Sequence, residues 1–281
     1  MKNILVPTDF SPEAQYAFDA ALQLAQRSGG QLLLLHTIEL PVTSHIATAG
    51  GLVGSHGLND VYVLKTLQAT KRRMHQLIDQ AHRVAPGVPV RELVLTTDLE
   101  AAVLDTIAQH EVDLVVMGAH EHTSWTRFFL NSSTEQIMRV ASCPVLTVKH
   151  PAPDFDVRHL VFASDFSDEA DLVAPGLHQL LALFPEATLH LLDVVPSADR
   201  HDQALAAIHG FADRHDFRHY EPEVFDAPRA STGIPRFAEQ AHADLVVMLT
   251  HGRSALSHLF QASISEDVAL HATPPVMTVH A

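Results

Sequence analysis

The chain has 281 residues, a formal net charge of −15 at pH 7 and one cysteine. Such an acidic surface repels phosphate backbones, so we expect neither nucleic acid nor an anionic membrane as a partner. The sequence has no run of about 18 apolar residues that would cross a bilayer, and one cysteine cannot form an intrachain disulfide. We therefore expect a soluble, cytoplasmic chain without a targeting segment.

The charge is unevenly distributed. Residues 1–150 contain 11 Lys and Arg against 14 Asp and Glu, whereas residues 151–281 contain 7 against 19. Twelve of the 21 histidines lie in the acidic half and would gain charge below about pH 6.5. A pH-responsive or zinc-binding role and a role in solubility alone both stay open.

Short apolar runs alternate with segments of helical periodicity along the whole chain. Continuous apolar runs between helical segments are typical of strands that are buried on both faces of a parallel sheet. The predicted strands are Ile4–Val6, Leu32–His36, Leu93–Leu95, Asp113–Met117, Pro144–Val148, Leu160–Ala163, Leu189–Val194, Tyr220–Phe225, Asp244–Met248 and Pro275–Val279. The sequence therefore predicts an α/β fold with five parallel strands in each half.

Capping residues mark the helix starts. Ser11 and Ser167 stand at N-cap positions, and each is followed within two residues by an acidic side chain. Apolar residues at helical spacing continue from the first cap to residue 27. Ser132–Glu135 and Ser263–Glu266 have the Ser-x-x-Glu spacing of a capping box before a short helix.

The two halves of the chain repeat one another. Asp113–Lys149 and Asp244–His280 align without a gap at 14 identical positions of 37, and Thr8–Ala14 matches Ser164–Ala170. The early pair is separated by 156 residues and the late pair by 131, so the second copy lacks 25 residues in its middle. A repeat this long indicates two copies of one domain.

We place the two domains at residues 1–150 and 155–281. Prolines at alternate positions near Pro151–Asp154 end the fifth strand and stiffen a linker. The 25 additional residues of the first copy lie between its second and third strands. They include residues 43–54, which are rich in glycine and small side chains. Two interpretations of that segment stay open: a mobile flap over the sheet edge, or a plain surface insertion.

In a doubly wound sheet, ligands bind beyond the carboxyl ends of the strands. The residues at those ends, Val6–Ser11, Leu34–Ile38 and Asp113–His120, are followed by Ser142–Val148. The order and spacing of these segments recur in the second copy. With them, the chain resembles the universal stress proteins in their tandem form over nearly its whole length. The resemblance implies two Rossmann-like domains of the adenine nucleotide alpha hydrolase-like kind. It also implies fifth strands that pair within the chain as an internal pseudo-dimer, with a homodimer as a further expectation.

Members of that family that bind ATP use an Asp after strand one, the residue after the strand-two His, and a Gly-x-x-Gly-x9-Gly-Ser loop. Glycines in the loop let backbone amides approach phosphates at a helix N-terminus. The resemblance carries these roles onto Asp9, Thr37, Gly118, His120, Ser132 and Ser133 in the first copy, and onto Asp165, Val194, Gly252 and Ser263 in the second. The loop pattern is broken at Glu121 and Asn131 in the first copy and at Leu249 and Ala262 in the second.

Glu121 would bring a like charge into a phosphate cradle, which costs about 4 kcal/mol at about 4 Å and an effective dielectric near 20. We therefore favour loops that no longer hold phosphate, in a non-enzymatic stress-response protein that binds a small molecule or a protein partner. Binding of ATP or AMP in the first copy, with slow hydrolysis, stays open. So does an enzyme of hydrolase or nucleotidyl transferase type on the same fold.

Histidines near the same edge suggest a different ligand. Residues 120–122 read His-Glu-His, and His36 ends the second strand. Imidazole and carboxylate are good zinc ligands, so these groups could hold the metal. Since His120 has a counterpart in His251, a position where the family commonly has His without metal, the clustering has a plainer explanation.

Three other side chains have structural explanations. Cys143 precedes a proline at the start of the fifth strand, and we expect a small buried residue rather than a nucleophile. His215 and His219 have the spacing of one helical turn. Because residues 216–218 leave the helix in our assignment, we expect that pair to be solvated surface.

Overall fold

A computed structural model describes residues 1–38, 56–119, 133–250 and 261–280. Its strands are β1 (Asn3–Pro7), β2 (Gln31–Thr37), β3 (Val90–Leu95), β4 (Leu114–Gly118), β5 (Val145–Val148), β6 (His159–Ala163), β7 (Thr188–Val195), β8 (Glu221–Asp226), β9 (Leu245–Thr250) and β10 (Val276–His280). Its α-helices are α1 (Pro12–Ser28), α2 (His56–Val84), α3 (Leu99–His110), α4 (Ser133–Val140), α5 (Ala174–Leu183), α6 (His201–Arg214), α7 (Ala230–Gln240) and α8 (Gln261–His271). Every predicted strand is present, with ends shifted by a few residues.

All the described strands form one sheet in the order β3-β2-β1-β4-β5-β10-β9-β6-β7-β8. Within each copy the five strands are parallel, as predicted, and β5 pairs with β10 in antiparallel fashion. The expected pairing of the fifth strands within one chain is confirmed. Because the pairing reverses strand direction, the carboxyl ends of the two copies lie at opposite edges of the sheet.

Reciprocal contacts hold this junction, which we call the seam. Leu146 lies opposite Met277 in the strand register. The buried hydroxyl of Thr147 donates to the Val276 carbonyl at 3.1 Å, and that of Thr278 donates to the Val145 carbonyl at 3.3 Å. The two threonines are equivalent residues of the two copies, so the seam has approximate twofold symmetry.

Helices cover both faces of the sheet. Alternate residues of a strand face opposite sides, so Ile4 and Val6 join one buried cluster and Leu5 joins the other. Helices α1, α2, α5 and α6 pack on the first face, and α3, α4, α7 and α8 pack on the second. This two-faced burial explains why the strands are apolar without alternation.

The repeated aspartates Asp113 and Asp244 have a structural role. The Asp113 carboxylate accepts a hydrogen bond from the backbone amide of Asn3, and Asp244 does the same for His159, at 2.9 Å in both copies. Each carboxylate thus ties the start of the fourth strand of its copy to the start of the first. A structural need of this kind accounts for the identity of these two residues.

Helix starts differ between the copies. The Ser11 hydroxyl accepts a hydrogen bond from the Ala14 amide at 3.2 Å, so this predicted cap is confirmed. Ser167 precedes a 3-10 segment, Asp168–Val173, and its hydroxyl donates to Asp165 at 2.8 Å instead of accepting from the helix. Ser167 does stand at the N-cap position, but the predicted capping hydrogen bond from its side chain is wrong.

The capping box predicted at Ser263–Glu266 is also wrong, because α8 begins at Gln261 and Ser263 lies inside its first turn. Instead, the Glu266 carboxylate forms a bidentate salt bridge with the Arg139 guanidinium of α4, with 2.7 Å between Nη2 and Oε2. Ser132, in the corresponding box of the first copy, lies outside the described residues. Sequence spacing could not reveal a partner more than 100 residues away.

The segment between the copies is packed against both of them. The Gln23 side chain donates to the Ala152 carbonyl at 3.0 Å and accepts from the Phe155 amide at 2.7 Å. The buried Phe155 ring contacts Phe184 edge-on, with 6.2 Å between centroids. The domain boundary near Pro151–Asp154 stays a prediction, but the linker is anchored rather than a free spacer.

The missing residues of the second copy fall partly in a helix. Helix α2 has 29 residues, whereas its counterpart α6 has 14. Residues 43–54, the predicted flap, lie outside the described residues. Among the helices that the structure describes, none is both long enough and apolar enough to cross a membrane.

One of the two surface histidines has a specific partner. Helix α6 ends at Arg214, so residues 216–218 lie outside it, as predicted, but His215 bonds Asp171 with 2.8 Å between Nε2 and Oδ1. The hydrogen bonds from Arg214 and then from His215 hold the pKa of the Asp171 carboxyl below its ordinary value. The prediction of solvated surface is therefore wrong for His215, whereas His219 is exposed.

The Arg139–Glu266 pair should stabilise the joined structure. Arg139→Ala leaves the Glu266 side chain, only 13% exposed, without its charged donor. We expect the free energy of unfolding in urea to fall by about 1–2 kcal/mol. Arg218→Ala is the matched control, since its pair with Asp216 is exposed and should contribute less than about 0.5 kcal/mol. Equal losses in the two variants would contradict a specific role for the pair.

Candidate functional site

A cavity of about 250 Å³ lies at the carboxyl ends of β1, β2 and β4. We call it the first cleft. Its lining includes Asp9, Thr37, Gly118, His36 and Thr134. The structure thus brings together Asp9, Thr37 and Gly118 of the predicted site. His120 and Ser132 lie outside the described residues, and Ser133 is described only as the first residue of α4.

The turn after β1, which carries Asp9, contains a strained residue, Phe10. Phe10 has a φ of 63°, a left-handed value that costs a non-glycine residue about 1–2 kcal/mol. The turn is held by the Phe10 amide bonding the Thr8 hydroxyl at 3.0 Å and by the Ser11 amide bonding the Asp9 carboxylate at 2.9 Å. Such strain is typical of functional turns.

The second copy builds the same turn. Phe166 has a φ of 55°, its amide bonds the Ser164 hydroxyl at 3.0 Å, and the Ser167 amide bonds Asp165 at 3.1 Å. Sequence reasoning missed this backbone feature. The Asp-Phe-Ser triplet shared by both copies was the available signal, because Asp and Ser favour turns stabilised by their own side chains.

His36 is fixed at the edge of the first cleft. Its Nδ1 lies 2.7 Å from the Thr8 carbonyl oxygen, which can only accept, so Nδ1 carries the proton. The imidazole also packs on Phe10, with 4.6 Å between ring centroids, and the Arg73 guanidinium lies 5.3 Å from the same phenyl ring. The ring is therefore held in one orientation at the cleft.

Gly118 is required by packing. A Cβ atom there would lie 2.4 Å from the Glu13 carbonyl carbon and 2.6 Å from the Ala14 nitrogen, both backbone atoms of the first turn of α1. Glycine thus lets α1 approach the end of β4. This role is independent of any phosphate, so the presence of Gly118 is not by itself a sign of nucleotide binding.

Leu249 is the counterpart of Gly118 in the second copy, and its side chain packs against the core cluster that contains Ala170 and Val173. The helix after β6 there opens as the 3-10 segment Asp168–Val173 rather than as an α-helix. A side chain at Leu249 excludes the close approach that Gly118 permits, which is a physical reason for the difference.

A cavity of about 150 Å³ lies at the carboxyl ends of β6, β7 and β9, and we call it the second cleft. Its lining includes Asp165, Asp193, Val194, Leu249 and Ser265. The predicted Asp165 and Val194 do come together. Gly252 lies outside the described residues, and Ser263 is described only as part of α8.

Asp193 is the residue that sequence reasoning missed. In the strand register Ile4 pairs with Leu32 and Leu160 with Leu189, so Asp193 stands where the first copy has His36. Burial, and then the charge of Asp165, raise the pKa of the Asp193 carboxyl to about 6. An imidazole in one cleft is thus replaced by a carboxylate in the other.

Both clefts are poor in positive charge. The described lining of the first cleft contains Asp9 and Glu13, and that of the second contains Asp165, Glu169 and Asp193. Lys and Arg are absent from the described lining of both. The described lining is therefore acidic in both clefts, and it holds more carboxylates in the second.

The described residues contain neither a group of metal ligands nor a thiol of low pKa. Among the described residues, no three His, Cys, Asp or Glu side chains are grouped to hold a metal ion. The zinc alternative at His120–His122 lies outside them. Cys143 is half-buried rather than fully buried, and burial raises the pKa of its thiol to about 12, so it is a poor nucleophile at neutral pH.

Comparisons with known proteins agree on one family. The sequence model of the universal stress protein family matches residues 1–149 and 221–280. The chain is 26% identical over 304 residues to universal stress protein Slr1230 of Synechocystis sp., covering 99% of each chain. It is 26% identical over 155 residues to universal stress protein MJ0577 of Methanocaldococcus jannaschii, covering 53% of this chain and 94% of that protein.

The fold is also found among solved structures. The crystal structure of a universal stress protein from Archaeoglobus fulgidus matches with a TM-score of 0.71 and 20% sequence identity. The match covers 99% of this chain and 98% of that one. The tandem arrangement of two α/β units is therefore shared with that protein over its whole length.

Substitution of Gly118 tests its packing role. Gly118→Ala should lower the free energy of unfolding by about 2–3 kcal/mol, because a backbone segment must move to admit the new methyl group. Gly87→Ala is the control, since a Cβ there meets open space and should change stability by less than about 0.5 kcal/mol. Urea denaturation measures both, and similar effects in the two variants would contradict the close approach of α1.

Substitution of Asp193 should change how stability depends on pH. Its carboxyl binds a proton more tightly in the folded state, with a pKa of about 6 against an ordinary 3.8. The charged form therefore destabilises the fold, and this cost grows from about pH 4 to pH 6 and is complete above pH 6. Allowing for solvent screening, Asp193→Asn should gain about 1 kcal/mol at pH 7.5 and nearly nothing at pH 4.

Denaturation of wild type and variant at both pH values checks this expectation, with the exposed Asp105→Asn as the control. A gain that is equal at pH 4 and pH 7.5 would show that the side-chain charge is not responsible. So would an equal gain in the control variant.

Proposed function

We propose that this chain, which belongs to the universal stress protein family, is a non-enzymatic regulatory protein that binds a small molecule in its first cleft. The observation that carries the proposal is the convergence of Asp9 and Thr37 on one cavity beside the fixed imidazole of His36. The described lining contains neither cysteine nor lysine that would act as a nucleophile. The arrangement favours binding over covalent chemistry.

The ligand class follows from the position of these groups. In the family that the sequence resembles, the Asp after strand one and the residue after the strand-two His bind adenine. Asp9 and Thr37 occupy those two places and line the same cavity. We therefore propose that the small molecule bound in the first cleft is an adenine nucleotide or nucleoside.

The charge of the cleft sets the order of affinities. Asp9 and Glu13 bring negative charge, and the described lining offers neither Lys nor Arg to offset added phosphates. The sequence adds Glu121 and Asn131 where the family loop has glycine. We therefore infer that adenosine and AMP bind more tightly than ATP, and that the loop no longer serves a triphosphate.

A thermal-shift titration with adenosine, AMP and ATP tests this function. A ligand at about a hundredfold excess over its Kd adds about 2.7 kcal/mol of stability. We expect a shift with adenosine or AMP, a smaller shift with ATP, and loss of the shift in Asp9→Ala. The control is Asp165→Ala, the equivalent change in the second cleft, which should leave the shift intact. No shift with any of the three at millimolar concentration would refute the adenine-ligand proposal.

Restoring the loop glycines tests why phosphate is disfavoured. Glu121→Gly with Asn131→Gly removes a charge whose cost is about 4 kcal/mol at close range, so ATP affinity should rise by up to about a thousandfold. Ala262→Gly in the second copy is the control and should not alter ATP affinity. If the double variant binds ATP no better than wild type, the loop charge is not what limits binding.

A further inference from the structure

Helix α8 of the second copy lies against both clefts. Ile264 and Ser265, near its start, line the second cleft, and Leu270, near its end, lines the first. The latter contact crosses the seam, because Leu270 belongs to the second copy and the rest of the described lining of the first cleft belongs to the first. From Ser265 to Leu270 the helix advances only about 7.5 Å.

The same helix is bound to the first copy at two points. Glu266 forms its bidentate salt bridge with Arg139 of α4, and the buried Lys149 ammonium donates to the Ala272 carbonyl just beyond the end of α8. A cation at this end also suits the helix dipole. Helix α8 is therefore fixed to both copies, and a shift in one of them reaches the other.

The two copies are not equivalent in this respect. The counterpart of Leu270 in the first copy is Arg139, which is absent from the described lining of the second cleft and is engaged by Glu266. The half-exposed Leu270 side chain thus gives the first cleft an apolar contact that has no matching contact in the second.

We propose that α8 is a wall common to both clefts, so that Leu270 of the second copy completes the ligand site of the first and couples it to the second cleft. Only the identity of the ligand rests on the function proposed above. A rigid helix that contacts two cavities transmits a displacement at one to the other, which is the physical requirement for coupling.

The coupling can be measured without a ligand. Met117 lines the first cleft and Met248 lines the second, so their methyl groups report on each cavity in spectra of protein labelled with methyl-¹³C methionine. Ile264→Ala, in α8, should shift both methyl signals. Val194→Ala is the matched control, because it lines the second cleft from β7, rather than from α8 or the α7 helix that packs on α8, and should shift Met248 alone.

Leu270→Ala gives the complementary result. The Met117 methyl signal should shift, and affinity for AMP should fall about tenfold through the loss of apolar contact area. Leu172→Ala, at an exposed leucine, should change neither. If Met117 does not respond to Ile264→Ala or Leu270→Ala, or responds equally to Val194→Ala, the shared wall is refuted. If wild-type protein binds none of adenosine, AMP and ATP, the proposed function fails, and the Met117 signal still decides this inference.

Discussion

The antiparallel pairing of β5 with β10 is the interaction on which the rest of the structure depends. An apolar strand at the edge of a sheet invites uncontrolled pairing, and each copy alone would expose one. Joining the two edges buries both, and the reciprocal bonds of Thr147 and Thr278 match the symmetry of the duplication. The same pairing places the two clefts at opposite edges of the sheet and brings Arg139 of α4 within ion-pair distance of Glu266 of α8.

Divergence is concentrated at the clefts, within a framework that has been kept. Asp113 and Asp244 hold equivalent strands, and the strained turns at Phe10 and Phe166 have the same bonds. By contrast, Leu249 stands where the first copy has Gly118, and the helix after β6 begins as a 3-10 segment rather than as an α-helix. The first cleft thus contains two carboxylates and Gly118, whereas the second contains three carboxylates and has Leu249 in place of the glycine.

Strand positions and the seam could be predicted because they follow from local apolar runs, from the repeat and from a family resemblance. The clefts were located because the carboxyl ends of parallel strands share an edge. Long-range contacts were not predictable: the Arg139–Glu266 pair, Leu270 at the first cleft and the need for glycine at 118 depend on which elements meet in space. The capping box at Ser263–Glu266 failed because α8 begins at Gln261, before Ser263, and the Glu266 side chain has a tertiary partner.

The most direct test of this account is a disulfide across the seam. Leu146 and Met277 lie opposite each other, and paired residues of antiparallel strands have the Cα separation that a disulfide requires. In a Cys143→Ala background, Leu146→Cys with Met277→Cys should oxidise to a bridge within one chain, which runs at the size of a monomer on a non-reducing gel. Bridges formed only between chains, or none in a folded double variant, would contradict the internal seam and the shared α8 wall that depends on it.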